Sequence, residues 1–183
     1  LVSAQHRQRL FWTNIQGITQ PLDKNIFLSN ILLDNVSNKY WLSKKEKDYM
    51  DREVADGRTH WDFAHHSDTE NGKSAAVVAN FLKGVPYNVL IDQRNSACSF
   101  WSCDFQQQDM DFCKQCLGDD GNKNDYQGEN YPTLAVRKFH PVECERLQTI
   151  PDNYTNGVSN TQRYKMIGNA WTVDVIVHIL SFM

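Results

Sequence analysis

No hydrophobic period runs through residues 92–130, and that stretch limits what kind of fold the chain can make. It is polar and holds no glycine before Gly118. It has neither the alternation of a half-buried strand nor the three-to-four spacing of an amphipathic helix. A compact domain rarely carries so long a structureless stretch unless a metal or a partner orders it. The chain therefore reads as two patterned blocks flanking an irregular insertion.

Charge and cysteine both concentrate in that insertion. Residues 104–129 hold seven acidic side chains against Lys114 and Lys123. The whole chain has 22 acidic and 19 basic residues, a net charge of −3, so without this stretch 15 acidic and 17 basic residues remain. The acidic segment is unsuited to lie against phosphates, and the remainder is suited to it. Four of the five cysteines, Cys98, Cys103, Cys113 and Cys116, fall in or beside it as C-x4-C-x9-C-x2-C. The second pair has metal-ligand spacing and the first is wider than the commonest knuckle. Two readings stay open: a structural zinc site that orders the insertion, or four reduced cysteines. An odd cysteine count without a secretory leader argues against a disulfide scaffold.

The flanking blocks carry recognisable elements. Residues 10–15 (LFWTNI) are dense in aromatic and branched side chains, as buried strands are. A short helix is expected within residues 26–33. Ser43, with Glu46 three residues on, makes a capping box that opens a helix over 44–54. Residues 74–80 and 87–91 read as strands, as do 133–136. Pro141 sits in the first turn of a helix over 141–148, where Glu143 and Arg146 share a face. A short helix over 159–167 ends at Gly168. The tail over 171–182 repeats apolar residues at helical spacing, which predicts a buried stripe.

Three segments, in order, resemble one family, the cytosine-C5 DNA methyltransferases of phage and bacterial type. Gln5-His6-Arg7-Gln8-Arg9 resembles the family's Q-x-R-x-R motif. Residues 137–148 (RKFHPVECERLQ) and 150–154 (IPDNY) resemble its R-x-L-T/H-P-x-E-x-x-R-L-Q-x-F-P-D-x-Y segment. Residues 164–173 (YKMIGNAWTV) resemble the Y-x-x-x-G-N-S-V segment that opens the last helix. The resemblance covers both ends of the chain. The interval between matches in position rather than in motif and corresponds to the family's variable target-recognition region.

The resemblance implies an α/β fold: the C-terminal portion of a Rossmann-like methyltransferase domain plus a small, irregular, mainly-β target-recognition domain. Residues 1–16 would supply a late catalytic strand, 17–136 the recognition region with its insert at 98–129, and 137–183 the segments returning to the catalytic domain. The reaction implied is methyl transfer from S-adenosylmethionine to C5 of a cytosine flipped out of duplex DNA, after a cysteine thiolate adds at C6. Arg9 would reach the flipped base's O2, where a permanently charged guanidinium stabilises developing electron density. Arg7 would support the phosphate, and Gln5 would position the segment. Asn169, Gly168 and Ala170 would line the methyl-donor pocket, with Ala170 standing where the family has serine. On spacing alone Arg7 and Arg9 also fit surface positions alternating out of a strand, and Gly168-Asn169 also fits a turn between two helices.

For DNA contact, Thr133 with Leu134 resembles the recognition region's Thr-Leu pair; a rival alignment places Ala76-Val77 there, ahead of Lys83-Gly84. Arg137 is expected to touch the DNA backbone. Arg58, with His60, Trp61, His65 and His66, forms a cluster suited either to a target-reading loop or to a partly buried aromatic loop.

The family's F-x-G-x-G donor loop, Pro-Cys nucleophile and Glu-Asn-Val segment have no counterpart in this sequence. The chain thus looks like the later part of such an enzyme, inactive in isolation, whose missing N-terminal segment comes in cis or as a second subunit. The alternative is a non-catalytic DNA-recognition subunit of a two-chain methyltransferase. No apolar run approaches the roughly 20 residues that span a bilayer, and Arg7 and Arg9 break any leader-like start. The cytoplasm of a bacterial or phage-infected cell is the expected location.

Overall fold

A computed structural model describes residues 1–55, 57–60, 65–68, 72–79, 88–92 and 136–183. The four clustered cysteines, Trp61, Lys83 and Thr133 lie outside the described residues.

Among the described residues two small sheets form. β1 (Gln5–His6) pairs in parallel with β3 (Ser74–Ala75), Gln5 opposite Ser74. β2 (His65–Asp68) runs parallel to β4 (Asn88–Ile91), which pairs antiparallel with β5 (Val136–Arg137). Successive side chains of β4 face opposite ways, as the strand period requires. Leu90 enters the main core while Val89 packs with Leu42 and Val136 on the other side.

The main core joins distant parts of the chain: Ala4, Leu28, Ile31, Leu32, Val77, Leu90, Phe139, Cys144, Leu147, Tyr164 and Ile167 are all buried. Full burial of each Leu or Ile contributes about 1.5–3 kcal/mol. Cys144 is core, and burial pushes its thiol well above the usual range.

Helix starts follow local chemistry. α1 (Lys44–Met50) opens on the Ser43–Glu46 capping box. It stops at Met50 rather than 54. There Val54 N–H donates to the Arg58 carbonyl, Glu53 bridges Thr59, and Gly57 takes a φ of 78°, so a tight turn claims the backbone. α2 (Pro141–Leu147) has proline at its first turn and His140 as N-cap. α3 (Asn160–Asn169) is capped by Ser159 Oγ, and α4 (Val173–Leu180) follows a short connection. The expected helix within 26–33 is a single 3-10 turn, Leu28–Asn30.

Two sequence readings are corrected. Residues 10–15 form no strand: only Gln5–His6 finds a ladder partner, and Leu10, Phe11 and Trp12 are exposed. The apolar tail forms a helix, but no residue of α4 is buried. Periodicity fixed its stripe without fixing which side the protein covers.

Among the described residues, two ion clusters are sealed beneath α2. The Arg137 guanidinium donates to Asp92 and, through two bonds, to Glu143; all three side chains are buried. Glu145 accepts from Arg163, from the Thr155 hydroxyl and from the amides of Asn153 and Thr155. At the surface Arg146 holds Asp152 and the Ile31 carbonyl.

Candidate functional site

β1 places Gln5 in the interior, where its carboxamide has no water to satisfy it. Its Nε2 donates to the Leu147 carbonyl at 2.5 Å and to Gln148 Oε1 at 3.1 Å, and lies 3.5 Å from Thr172 Oγ1. Its Oε1 accepts from the Val77 amide at 3.2 Å. Gln148 continues the network, accepting from Thr172 Oγ1 and donating to the Ile167 carbonyl. One buried side chain thus joins the three segments that carry the resemblance, together with residue 77.

Arg7 emerges from the same strand two residues on. Its guanidinium donates to the carbonyls of Val77 (2.7 Å), Gly168 (3.1 Å) and Ala170 (2.9 Å). The last two lie at the C-terminal end of α3, where carbonyls lack helical partners and a cation is favoured. Nε of Arg7 is buried without a partner. Arg9 is exposed and makes one long bond, 3.4 Å, to the neighbouring Gln8 carbonyl. Burial and, next, the charge of Arg9 lower the Arg7 pKa. Neither arginine has a carboxylate partner among the described residues, so β1 ends in two adjacent, uncompensated cations suited to an anion.

Gly168 is fixed by packing. A Cβ placed on it would lie 2.3 Å from the Val78 carbonyl carbon and the Ala79 amide nitrogen. The close approach expected at this position is therefore filled by the chain's own backbone. Gly168 and Asn169 end α3 rather than open α4. The amide of Ala170 donates to Ile167, that of Val173 to Gln148, and that of Asp174 to Thr149 Oγ1. Residues 168–170 thus commit the Ala170 amide within the chain. The exposed Asn169 carboxamide, which makes no bond among the described residues, is the polar group they offer outward.

The DNA-facing candidates separate. Arg58 is exposed beside Gly57. His60 stacks on Tyr49 at 4.4 Å, and Arg52 lies 5.6 Å from the same ring. His65 and His66 belong to β2. Arg137 differs from its expected role: its guanidinium is fully buried on Asp92, Glu143 and the Lys138 carbonyl, so it braces the fold instead of meeting phosphate. Sequence reasoning missed Asp92, Arg163 and Thr155, whose partners lie 8–45 positions away without a local signature. It also missed Tyr49 and Arg52, which an aromatic–cation spacing at the end of α1 and just past it could have flagged. Among the described residues, no group of three or more His, Cys, Asp or Glu could hold a metal, and no helix is long and apolar enough to cross a membrane.

Comparison with known proteins places this geometry in context. The family pattern described as C-5 cytosine-specific DNA methylase matches residues 3–183. The Type II methyltransferase M1.ScrFI of Lactococcus lactis subsp. cremoris is 29% identical over 163 residues, 89% of this chain and 32% of that protein. The orphan methyltransferase M.SPBetaI of Bacillus phage SPbeta is 43% identical over 56 residues, 28% of this chain and 13% of that protein. The chain thus spans a third or less of the length of these relatives. Among solved structures, the Entamoeba histolytica methyltransferase EhMeth superposes with a TM-score of 0.57 at 12% identity, covering 93% of this chain and 44% of that one. At that identity the likeness is one of fold.

Proposed function

This chain belongs to the C-5 cytosine-specific DNA methylase family, and from that premise we propose that it is the later part of a DNA (cytosine-5)-methyltransferase, carrying target recognition and part of the active site. The observation that carries the reading is the Gln5 network: the Q-x-R-x-R segment, the 137–154 segment and the 164–173 segment converge on one buried carboxamide. That convergence aims Arg7 and Arg9 out of the same edge.

In this reading Arg9 holds the flipped cytosine or its phosphate, because its side chain is solvent-accessible and has no carboxylate partner among the described residues. Arg7 fixes the segment's exit by binding three carbonyls and adds its charge to the same field. Residues 17–136 read the duplex, with Arg58 and the His60–Tyr49–Arg52 stack as its described cationic and aromatic groups, and with Lys83 and Thr133 as further contacts. Methyl transfer from S-adenosylmethionine and the Pro-Cys nucleophile belong to a donor-binding part supplied in cis or as a second subunit. Zinc on Cys98, Cys103, Cys113 and Cys116 is not part of this proposal. The cytoplasm of a bacterial or phage-infected cell, where duplex DNA is reachable, is its proposed place.

The test is tritium transfer from labelled S-adenosylmethionine to duplex DNA. The 183-residue chain alone is expected to transfer none. Mixed with the donor-binding part of a cytosine-C5 DNA methyltransferase, it is expected to restore transfer to cytosine C5. Transfer by the isolated chain, or label arriving on adenine, would overturn the reading.

A further inference from the structure

Asn156 and Gly157 stand side by side in the exposed turn between α2 and α3. Of the asparagines among the described residues, Asn156 alone precedes a glycine. The turn is anchored on both sides. Upstream, Thr155 is buried, and its amide and hydroxyl both bond the Glu145 carboxylate. The Asn156 amide itself donates to the Asn153 carbonyl. Downstream, Ser159 caps α3. Residues 156–158 join these two anchors.

Between them, the chain lays a side-chain amide against the next backbone nitrogen. The Gly157 N–H donates to Asn156 Oδ1 at 3.0 Å. Oδ1 is bonded to Cγ, so the nitrogen stands beside a carbonyl carbon it can attack. Gly157 has a φ of 102°, which glycine takes at no steric cost, and it has no Cβ to shield its nitrogen. Both residues are exposed, so water and base reach them. Asn169 is the contrast. It is exposed too, but Ala170 follows it with a Cβ, and the Ala170 amide is held by the Ile167 carbonyl at the end of α3.

We propose that Asn156 is a self-modification site, converted through a succinimide to aspartate and isoaspartate. Base removes the Gly157 amide proton. The nitrogen bonds to Asn156 Cγ, the Cγ–Nδ2 bond breaks, and Nδ2 leaves as ammonia. Water then opens the ring. Cleavage at Cγ gives aspartate in an ordinary main chain, and cleavage at the Asn156 main-chain carbonyl carbon gives isoaspartate. Nothing is oxidised or reduced, and either product adds one negative charge. Isoaspartate also lengthens the main chain by one carbon between the Thr155 anchor and the Ser159 cap. This site is independent of the functional reading above.

The experiment incubates the folded 183-residue chain in mildly alkaline buffer made with heavy-oxygen water. Trypsin digestion and fragmentation that separates aspartate from isoaspartate then locate the label in the peptide 147–163. Residue 156 is expected to gain heavy oxygen and to yield both products. Its conversion should be within about tenfold of the rate in urea, a barrier difference of about 1.4 kcal/mol at most. Asn156→Gln, whose longer side chain closes a ring far less readily, should leave that peptide unlabelled. The proposal is overturned by residue 156 staying asparagine while Asn71, which also precedes a glycine, converts. Label at Asn153 or Asn160 in its place overturns it too, as does unfolding that speeds conversion by more than about tenfold.

Discussion

Arg137 and Glu143 face each other as a two-pronged pair, with both bonds at 2.8 Å and both side chains completely buried. Asp92 takes the remaining Nε at 2.8 Å, and Glu143 also accepts from the amides of Leu33 and His140. The cluster therefore links β4, β5, the start of α2 and the loop at residue 33.

Removing one partner of such a cluster leaves a buried charge without compensation. Glu143→Gln is expected to cost about 3–5 kcal/mol. The measurement is a urea titration: the midpoint should fall while the slope stays constant. Replacing Arg137 with Lys should also destabilise, because an ammonium cannot fork onto Glu143 and reach Asp92 together.

Gly168 and Gly57 make opposite controls for one substitution. At Gly168 a methyl group would strike backbone at 2.3 Å, and backbone cannot move aside as a flexible side chain can. Gly168→Ala is expected to cost at least about 1–3 kcal/mol by overpacking. At Gly57 nothing lies within 4 Å, and only the positive φ of 78° resists a side chain. Gly57→Ala should cost about 1 kcal/mol. Thermal melts of the two variants should rank in that order.

The local elements were legible and the long-range ones were not. Ser43 with Glu46, and Pro141 behind His140, declare helix starts within four residues, and both starts stand where the sequence puts them. The exposure of α4 was not legible, because a 3.6 period identifies a face but not its partner. Residues 10–15 misled for the same reason: aromatic and branched residues suit a strand, yet a strand needs a ladder partner. Arg137 was misplaced because Asp92, 45 positions away, is invisible to spacing. The site was legible as a set of segments through resemblance, while the role of Gln5 as their common hydrogen-bond centre needed coordinates.

Stability should fall in mild acid through identifiable groups. Burial works against the Glu145 carboxylate, but Thr155, Arg163 and two amides more than offset it and hold its pKa below 4.5. Burial chiefly holds His140 below 6.5, and its Nδ1 accepts from the Val142 amide, which requires the neutral ring. Both pKa values are depressed by folding. Their contribution is therefore complete above the unfolded values and disappears as pH falls through the folded ones. Unfolding free energy measured from pH 7 to 3 should begin to decline below about 6.5 and steepen below about 4.5. A profile flat to pH 3.5 would contradict this.

Arg7 and Arg9 should separate stability from function, although they stand two residues apart. Arg7 closes three carbonyls at the end of α3, so Arg7→Ala is expected to cost about 2–3 kcal/mol. Arg9 is exposed with one 3.4 Å bond, so Arg9→Ala should change stability by less than about 0.5 kcal/mol. In the complemented methyltransferase the order reverses in meaning. Arg9→Ala should lower methyl transfer by about 10²–10³-fold, the loss expected when a preorganised charge is taken from a reacting base. Arg9→Lys should recover only part of it, since an ammonium keeps the charge but not the planar fork. Paired melting curves and tritium-transfer rates on the three variants decide the matter. An Arg9→Ala protein that melts normally and still methylates at the wild-type rate would remove Arg9 from the active site.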